Sequence, residues 1–169
     1  VRISFDQPIY TTDSIAMGTL NLLEAIRLTC PGAKMYQASS SEMFGNNIDN
    51  DGYQRETTPM TPVSPYGCAK VYGYNICRNY RNAYNMKIWN GILFNHEYAM
   101  WLMLQDDKPD DYVCATGISH TVLDLVEYVF NKLGMDYECY VTQDKKYYRS
   151  EELEFLKGDP TKIKKQLNW

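Results

Sequence analysis

Ser40, Glu42, Tyr66 and Lys70 put a hydroxyl, a carboxylate, a phenol and an amine into two short stretches, residues 36–45 and 64–70. Tyr66 and Lys70 are four apart, so in a helix they share a face. A phenol ordinarily holds its proton to about pH 10, so a tyrosine base near neutrality needs roughly 4 kcal/mol of preference for the phenolate. An ammonium on the same face supplies part of that preference. With a serine hydroxyl sharing the hydrogen bond to a substrate oxygen, the set suits taking a proton from an alcohol as hydride leaves its carbon. Glu42 is not needed for that step. In an extended chain Ser40 and Glu42 point the same way and Ser41 the other, which places the carboxylate to remove a proton from the carbon beside a newly formed ketone. The combination points to oxidation, loss of water and return of the hydride. The plainer alternative for Glu42 is a solvated loop acid. Tyr-x-x-x-Lys alone discriminates little, since about one match is expected by chance, and Tyr128 with Lys132 is a second, on an ordinary amphipathic stretch.

The elements that must position these groups follow from patterning. Residues 1–12 read as the short, Pro-containing tail of something already under way. From Asp13, the apolar residues Ile15, Leu20, Leu23 and Ile26 mark a helix ending near Cys30-Pro31-Gly32. A strand at 35–39 follows directly. The polar residues 46–64 form a long connection, either a lid or binding loop or a solvated excursion. Ser64 is a natural N-cap and Pro65 suits a first helical position, opening a helix to about Tyr84 with Asn85 as its stop. Residues 88–94 read as a buried strand, 98–104 as helix and 111–116 as strand. Thr121 and Asp124 form a capping box for a helix that buries Leu125, Val126, Val129 and Leu133 and closes at Gly134. Residues 137–141 read as a short strand, and Asp159-Pro160 caps a final basic helix with Ile163 and Leu167 on its apolar side. The alternation of helix and strand predicts an α/β fold, a parallel sheet covered by helices, with ligand-binding groups at the strand ends.

The chain has 169 residues, is 44% hydrophobic and 22% charged, and carries a net charge of −4, which suits a folded, soluble protein and argues against nucleic acid or an acidic membrane as the main partner. Five cysteines without a C-x-x-C pair suit reduced thiols, and two histidines offer no metal-ligand spacing. No signal-peptide pattern and no membrane-length apolar run is present, so the chain reads as cytoplasmic.

Several segments together resemble the GDP-mannose 4,6-dehydratase family of extended short-chain dehydrogenases/reductases. They are Tyr36-Gln-Ala-Ser-Ser-Ser-Glu-Met-Phe-Gly45, Glu56-Thr-Thr-Pro59, Ser64-Pro-Tyr-Gly-Cys-Ala-Lys70, Asn90-Gly-Ile-Leu-Phe-Asn-His-Glu97, Ala115-Thr-Gly117, Tyr147-Tyr-Arg149 and Gly158-Asp-Pro-Thr-Lys162. The resemblance implies a Rossmann-like parallel sheet with a smaller C-terminal α/β substrate domain, the former over 1–97 and the latter mainly over 98–169. It implies NADP as cofactor, GDP-mannose as substrate, a role in deoxysugar synthesis, and a homo-oligomer, dimer or tetramer, built through the helices at 13–29 and 65–84. Residue by residue, Tyr66 would be the base at carbon 4 of the mannose with Lys70 favouring its phenolate, and Glu42 would act at carbons 5 and 6. Ser40 stands where the family usually has Thr and keeps the hydroxyl. Tyr10 and His96, with Tyr66 and Lys70, would contact NADP. Asn95 would contact the sugar nucleotide, and Arg149 with Glu152 the GDP part.

Two departures stand out. The chain has no G-x-x-G-x-x-G to cradle a dinucleotide, so the opening strand and glycine-rich turn are expected before Val1. The strand ending at Asn95-His96-Glu97 also runs into the helical stretch at Tyr98 with no turn residues, where the family continues with a basic segment, so an omitted stretch is expected at 97/98. Two other readings stay open: an epimerase or reductase of the same family, which needs the Tyr and Lys but no acid at position 42, and, for a chain complete as it stands, a non-catalytic sugar-nucleotide-binding remnant.

Overall fold

A computed structural model describes residues 1–94, 98–148, 153–154 and 156–169. Residues 1–12, read as a short, Pro-containing tail, are helical: α1 spans Arg2–Asp6 and α2 spans Pro8–Thr12. Pro8 occupies the start of α2, where its missing N–H costs nothing. The chain continues through one π-helical turn, Asp13–Met17, into α3, Gly18–Thr29. Leu23 from α3 is fully buried.

Three strands follow the expected alternation: β1 (Lys34–Ser40), β2 (Lys87–Leu93) and β3 (Asp111–Cys114). They pair in parallel in the order β1-β2-β3, with Ser40 opposite Leu93 and Leu93 opposite Cys114. Between β1 and β2 runs α4, Pro65–Tyr84, which stops at Asn85 in the left-handed conformation (φ 54°). α5 (Tyr98–Gln105) precedes β3, and α7 (Thr161–Leu167) ends the fold.

Period-two alternation along the strands decides what each face buries. Met35 and Ile88 pack with Leu23, Cys77 and Tyr80 under α3 and α4, and Ile92 and Val113 continue that face with Tyr74, Met43 and Phe44. Trp89, Tyr112 and Cys114 face the other way, onto Ala99 and Met103 of α5 and Ile163 of α7. Full burial of each side chain of this size contributes about 1.5–3 kcal/mol. β3, α5 and α7, all from beyond residue 97, thus complete the sheet that β1 and β2 begin. Two right-handed crossovers stepping the same way across a sheet leave their helices on one face. Here α4 and α5 lie on opposite faces of strands that run in sequence order, so one connection has the other hand.

Two expectations for the second half are corrected. α6 (Val122–Leu133) has the expected capping box between Thr121 and Asp124 and closes at Gly134 (φ 66°), but it buries none of its apolar residues: Leu125 is 62% and Leu133 64% exposed. Its main described neighbour is a 3-10 turn, Tyr137–Cys139, where the Phe130 and Tyr140 rings lie 5.9 Å apart. That turn replaces the strand expected at 137–141. No strand pairs with it among the described residues, and Asp136 accepts a hydrogen bond from the Glu138 N–H instead (3.1 Å).

Candidate functional site

β1 stays extended through Ser40 and then turns at once. The Ser40 Oγ accepts a hydrogen bond from the Glu42 N–H (3.2 Å), which caps a 3-10 turn over Ser41–Phe44. Gly45 closes the turn at φ 59°, and a Cβ there would come within 2.0 Å of the Thr61 carbonyl oxygen. The strand alternation expected for residues 40–42 therefore stops at Ser40, and the turn brings Ser40, Ser41 and Glu42 together onto one cavity.

Ser64 caps α4 as expected, its Oγ accepting from the Gly67 N–H at 3.0 Å, and this fixes Tyr66 in the first turn. Gly67 sits so close to the preceding turn that a Cβ would lie 2.9 Å from the Glu42 carbonyl oxygen and 2.8 Å from Pro62 Cβ. The small residue between Tyr66 and Lys70 lets the start of α4 rest against the Glu42 backbone. One turn on, Lys70 Nζ donates to the Ala38 carbonyl of β1 (2.9 Å) and lies 5.5 Å from the centre of the Tyr66 ring. Burial pushes the Lys70 ammonium pKa down.

These pieces border a cavity of about 600 Å³ at the C-terminal ends of the strands, within the usual size range of small-molecule sites and in the usual place for an open parallel sheet. Ser40, Glu42 and Tyr66 form one wall; Thr116, Ser119, His120, Leu156 and Gly158 belong to the other. Sequence reasoning missed this second wall. Its residues come from connections that carry no periodicity, and only the Ala115-Thr116-Gly117 and Gly158-Asp159-Pro160 motifs marked their neighbourhood.

Tyr128 and Lys132 repeat the same helical geometry, with Lys132 Nζ 5.6 Å from the ring centre. The spacing alone produces that distance. Tyr128 borders another cavity with Val122 and Leu125; His120 lines both cavities, but neither Tyr128 nor Lys132 borders the one that holds Ser40 and Glu42. Tyr10 lies on α2, is 66% exposed and is not among the residues bordering the 600 Å³ cavity. Asn95, His96, Arg149 and Glu152 lie outside the described residues. Among the described residues no group of three or more His, Cys, Asp and Glu could hold a metal ion, and no helix is long and apolar enough to cross a membrane.

The family model described as GDP-mannose 4,6 dehydratase matches this chain over residues 1–99 and 96–169. The human GDP-mannose 4,6 dehydratase is 39% identical over 235 residues, covering 100% of this chain and 62% of that protein. GDP-mannose 4,6 dehydratase 1 of Arabidopsis thaliana is 38% identical over 219 residues, covering 100% and 60%. The chain thus spans about three fifths of the length of these curated relatives. Both alignments are longer than the chain, so the relatives carry stretches that it lacks. Among solved structures, RMD from Pseudomonas aeruginosa complexed with NADPH superposes with a TM-score of 0.83 at 16% identity, covering 98% of this chain and 69% of that one. DesIV, the dTDP-glucose 4,6-dehydratase of Streptomyces venezuelae with NAD and TYD bound, gives 0.80 at 18% identity, covering 98% and 63%. These likenesses show a Rossmann-like α/β fold, a parallel sheet between flanking helices. On the full-length family match and the relatives' identity, the chain belongs to the GDP-mannose 4,6-dehydratase family.

Proposed function

We propose that the protein to which this chain belongs converts GDP-mannose to GDP-4-keto-6-deoxymannose with NADP. One observation carries the reading: Glu42 borders the same cavity as Ser40 and Tyr66, so an acid stands beside the redox groups where an alcohol oxidation alone would leave no use for it.

The residues present fit the nicotinamide-ribose end of NADP. Lys70 has three N–H donors and uses one on the Ala38 carbonyl, which leaves it able to take a ribose hydroxyl beside Tyr66; Tyr10 and His96 are the further contacts that the resemblance assigns. The bound cofactor supplies the acceptor for the carbon-4 hydride and its return to carbon 6. Tyr66, as phenolate favoured by the neighbouring Lys70, takes the proton of the 4-hydroxyl, and the Ser40 hydroxyl shares the hydrogen bond to that oxygen. The resulting ketone acidifies the C–H at carbon 5. Glu42 takes that proton and passes it to the departing carbon-6 hydroxyl, which leaves as water; once carbon 6 has regained the hydride, carbon 5 takes up a proton from solvent by way of the site's acids, which completes the product. Asn95, Arg149 and Glu152 hold the sugar nucleotide; a guanidinium is suited to a diphosphate or ribose.

We assign residues 1–97 to the later part of the cofactor-binding domain and residues 98–169 mainly to the substrate side, chiefly the stretch between β3 and α7. The resemblance supports a homo-oligomer through the helical segments at 13–29 and 65–84, and Met17, Leu22 and Tyr72 on those segments are exposed apolar residues.

The test is incorporation of solvent deuterium at carbon 5 by the complete protein. Glu42→Gln is expected to lower exchange and product formation by about 10²–10⁴-fold while carbon-4 oxidation survives as reduced cofactor. Undiminished exchange would point to an epimerase or reductase in which position 42 has no part, and loss of carbon-4 oxidation together with exchange would refute a role for Glu42 confined to the dehydration.

A further inference from the structure

The long connection between Gly45 and α4 is tied down at its ends and in its middle. Its two ends are tied together beside Glu42: Asn47 Nδ2 donates to the Pro59 carbonyl (2.9 Å) and to Thr61 Oγ1 (2.7 Å). Its middle is tied to the opposite wall. Gln54 forms a parallel bridge with Gly158 through Gln54 N–H to the Lys157 carbonyl (2.7 Å) and Asp159 N–H to the Gln54 carbonyl (2.9 Å). The Glu56 carboxylate accepts from the Val113 N–H at the edge of β3 (2.7 Å). Arg55 joins the two sets of ties. Its guanidinium pairs with Asp49 (2.8 Å) and Asp51 (2.6 Å) of the connection itself and with Asp159 (2.7 Å), next to Gly158 of the cavity wall. Arg55 is 30% and Asp159 17% exposed, so this pair is better shielded than an ordinary surface pair, whereas Asp51 is 55% exposed. Only a planar fork of five N–H donors reaches three carboxylates at once; a lysine ammonium on a flexible stem is a point charge.

We propose that Arg55 is a positioning residue for the substrate, fixing the wall of the cavity that faces Ser40, Glu42 and Tyr66. Leu156 and Gly158 border the cavity there, and the same stretch of chain leads back to Arg149 and Glu152, so the inference rests on the sugar-nucleotide reading above. The redox wall stands on β1 and α4, where Arg55 makes none of its ion pairs. Losing Arg55 therefore loosens the grip on the nucleotide sugar and leaves the proton and hydride steps in place.

The experiment compares wild type, Arg55→Met and Arg55→Lys in the complete protein, reading KM and kcat for GDP-mannose together with amide hydrogen exchange. In Arg55→Met, KM is expected to rise about tenfold with kcat within about twofold. Exchange at Gln54, Glu154 and Asp159, whose N–H groups donate to Lys157, Asn46 and Gln54, should accelerate about tenfold or more, with α4 and Ser41–Phe44 unchanged. Arg55→Lys should recover only part of both effects. An unchanged KM, a fall in kcat without a rise in KM, or full recovery by lysine would overturn the proposal. If wild type neither binds nor turns over GDP-mannose, the substrate reading falls, and unaltered exchange at Asp159 would separately overturn the anchoring role.

Discussion

Gly67→Ala is the sharpest perturbation of the site. The added Cβ would start 2.8 Å from Pro62 Cβ, 2.9 Å from the Glu42 carbonyl oxygen and 3.2 Å from the capping Ser64 Oγ. Restoring ordinary contact requires the start of α4 and the Ser41–Phe44 turn to separate by about half an ångström. Alanine favours the helix by about 1 kcal/mol over glycine, while overpacking of this kind costs about 1–3 kcal/mol. The net change in stability is therefore small, about 0–2 kcal/mol, and the fold survives. The site does not escape so lightly, because Tyr66 moves with the helix while Ser40 and Glu42 stay with the turn. Misplacement approaching 1 Å costs on the order of 10²-fold in rate, so a loss of roughly 10–10²-fold in turnover is expected with a nearly unchanged urea midpoint. The assay pairs denaturation with steady-state turnover of GDP-mannose. Wild-type turnover in Gly67→Ala would refute the idea that this close approach sets the Tyr66 to Glu42 geometry. Gly67→Ser supplies a second reading, since it adds the same Cβ without the full helix gain.

Two further outcomes concern the scaffold. Asp111→Ala removes the carboxylate that accepts from Tyr74 Oη (3.1 Å) and Asn90 Nδ2 (2.9 Å) and pairs with Arg81 and Arg78; leaving Arg81 buried without it should cost about 3–5 kcal/mol in urea unfolding, and a loss under about 1 kcal/mol would show that the cluster is slack. Glu56 is held above the usual carboxylate range by burial, with the Val113 N–H opposing; its ionised form therefore lowers stability as pH rises through that raised pKa, so Glu56→Gln should raise the melting point at neutral pH, lose that advantage below the ordinary carboxylate range, and would contradict the assignment if the gain were the same at both.

Features set by near neighbours in the chain were legible from sequence. The Ser64-Pro65 start of α4, its stop at Asn85 and the Thr121 to Asp124 capping box each depend on side chains within four residues. The alternation at residues 40–42 was misjudged because the chain turns at Ser40, whose Oγ accepts from the Glu42 N–H, and Gly45 then packs on Thr61, a contact that no local pattern records. Residues 137–141 have strand-forming side chains but meet no partner strand among the described residues, and strand preference has little force without one. On α6 the apolar stripe was correctly read, whereas its burial depends on what lies against it. The same limit applied to the far wall of the cavity, which gathers residues from two separate connections, one after β3 and one before α7.

The Arg55 to Asp159 pair joins positions 104 apart in sequence, whereas β1, α4 and β2 form a contiguous unit. Closing so long a loop carries an entropic cost that must be met before its contacts give anything back. In the order of folding, the wall that carries Ser40, Glu42 and Tyr66 can therefore assemble from local structure, while the wall that carries Leu156 and Gly158 waits for the segment around Asp159. A nascent or clipped protein lacking that segment would retain the Tyr66 and Lys70 face of α4 but no enclosed cavity, so the cavity closes only once residues more than a hundred positions further along the chain have been made.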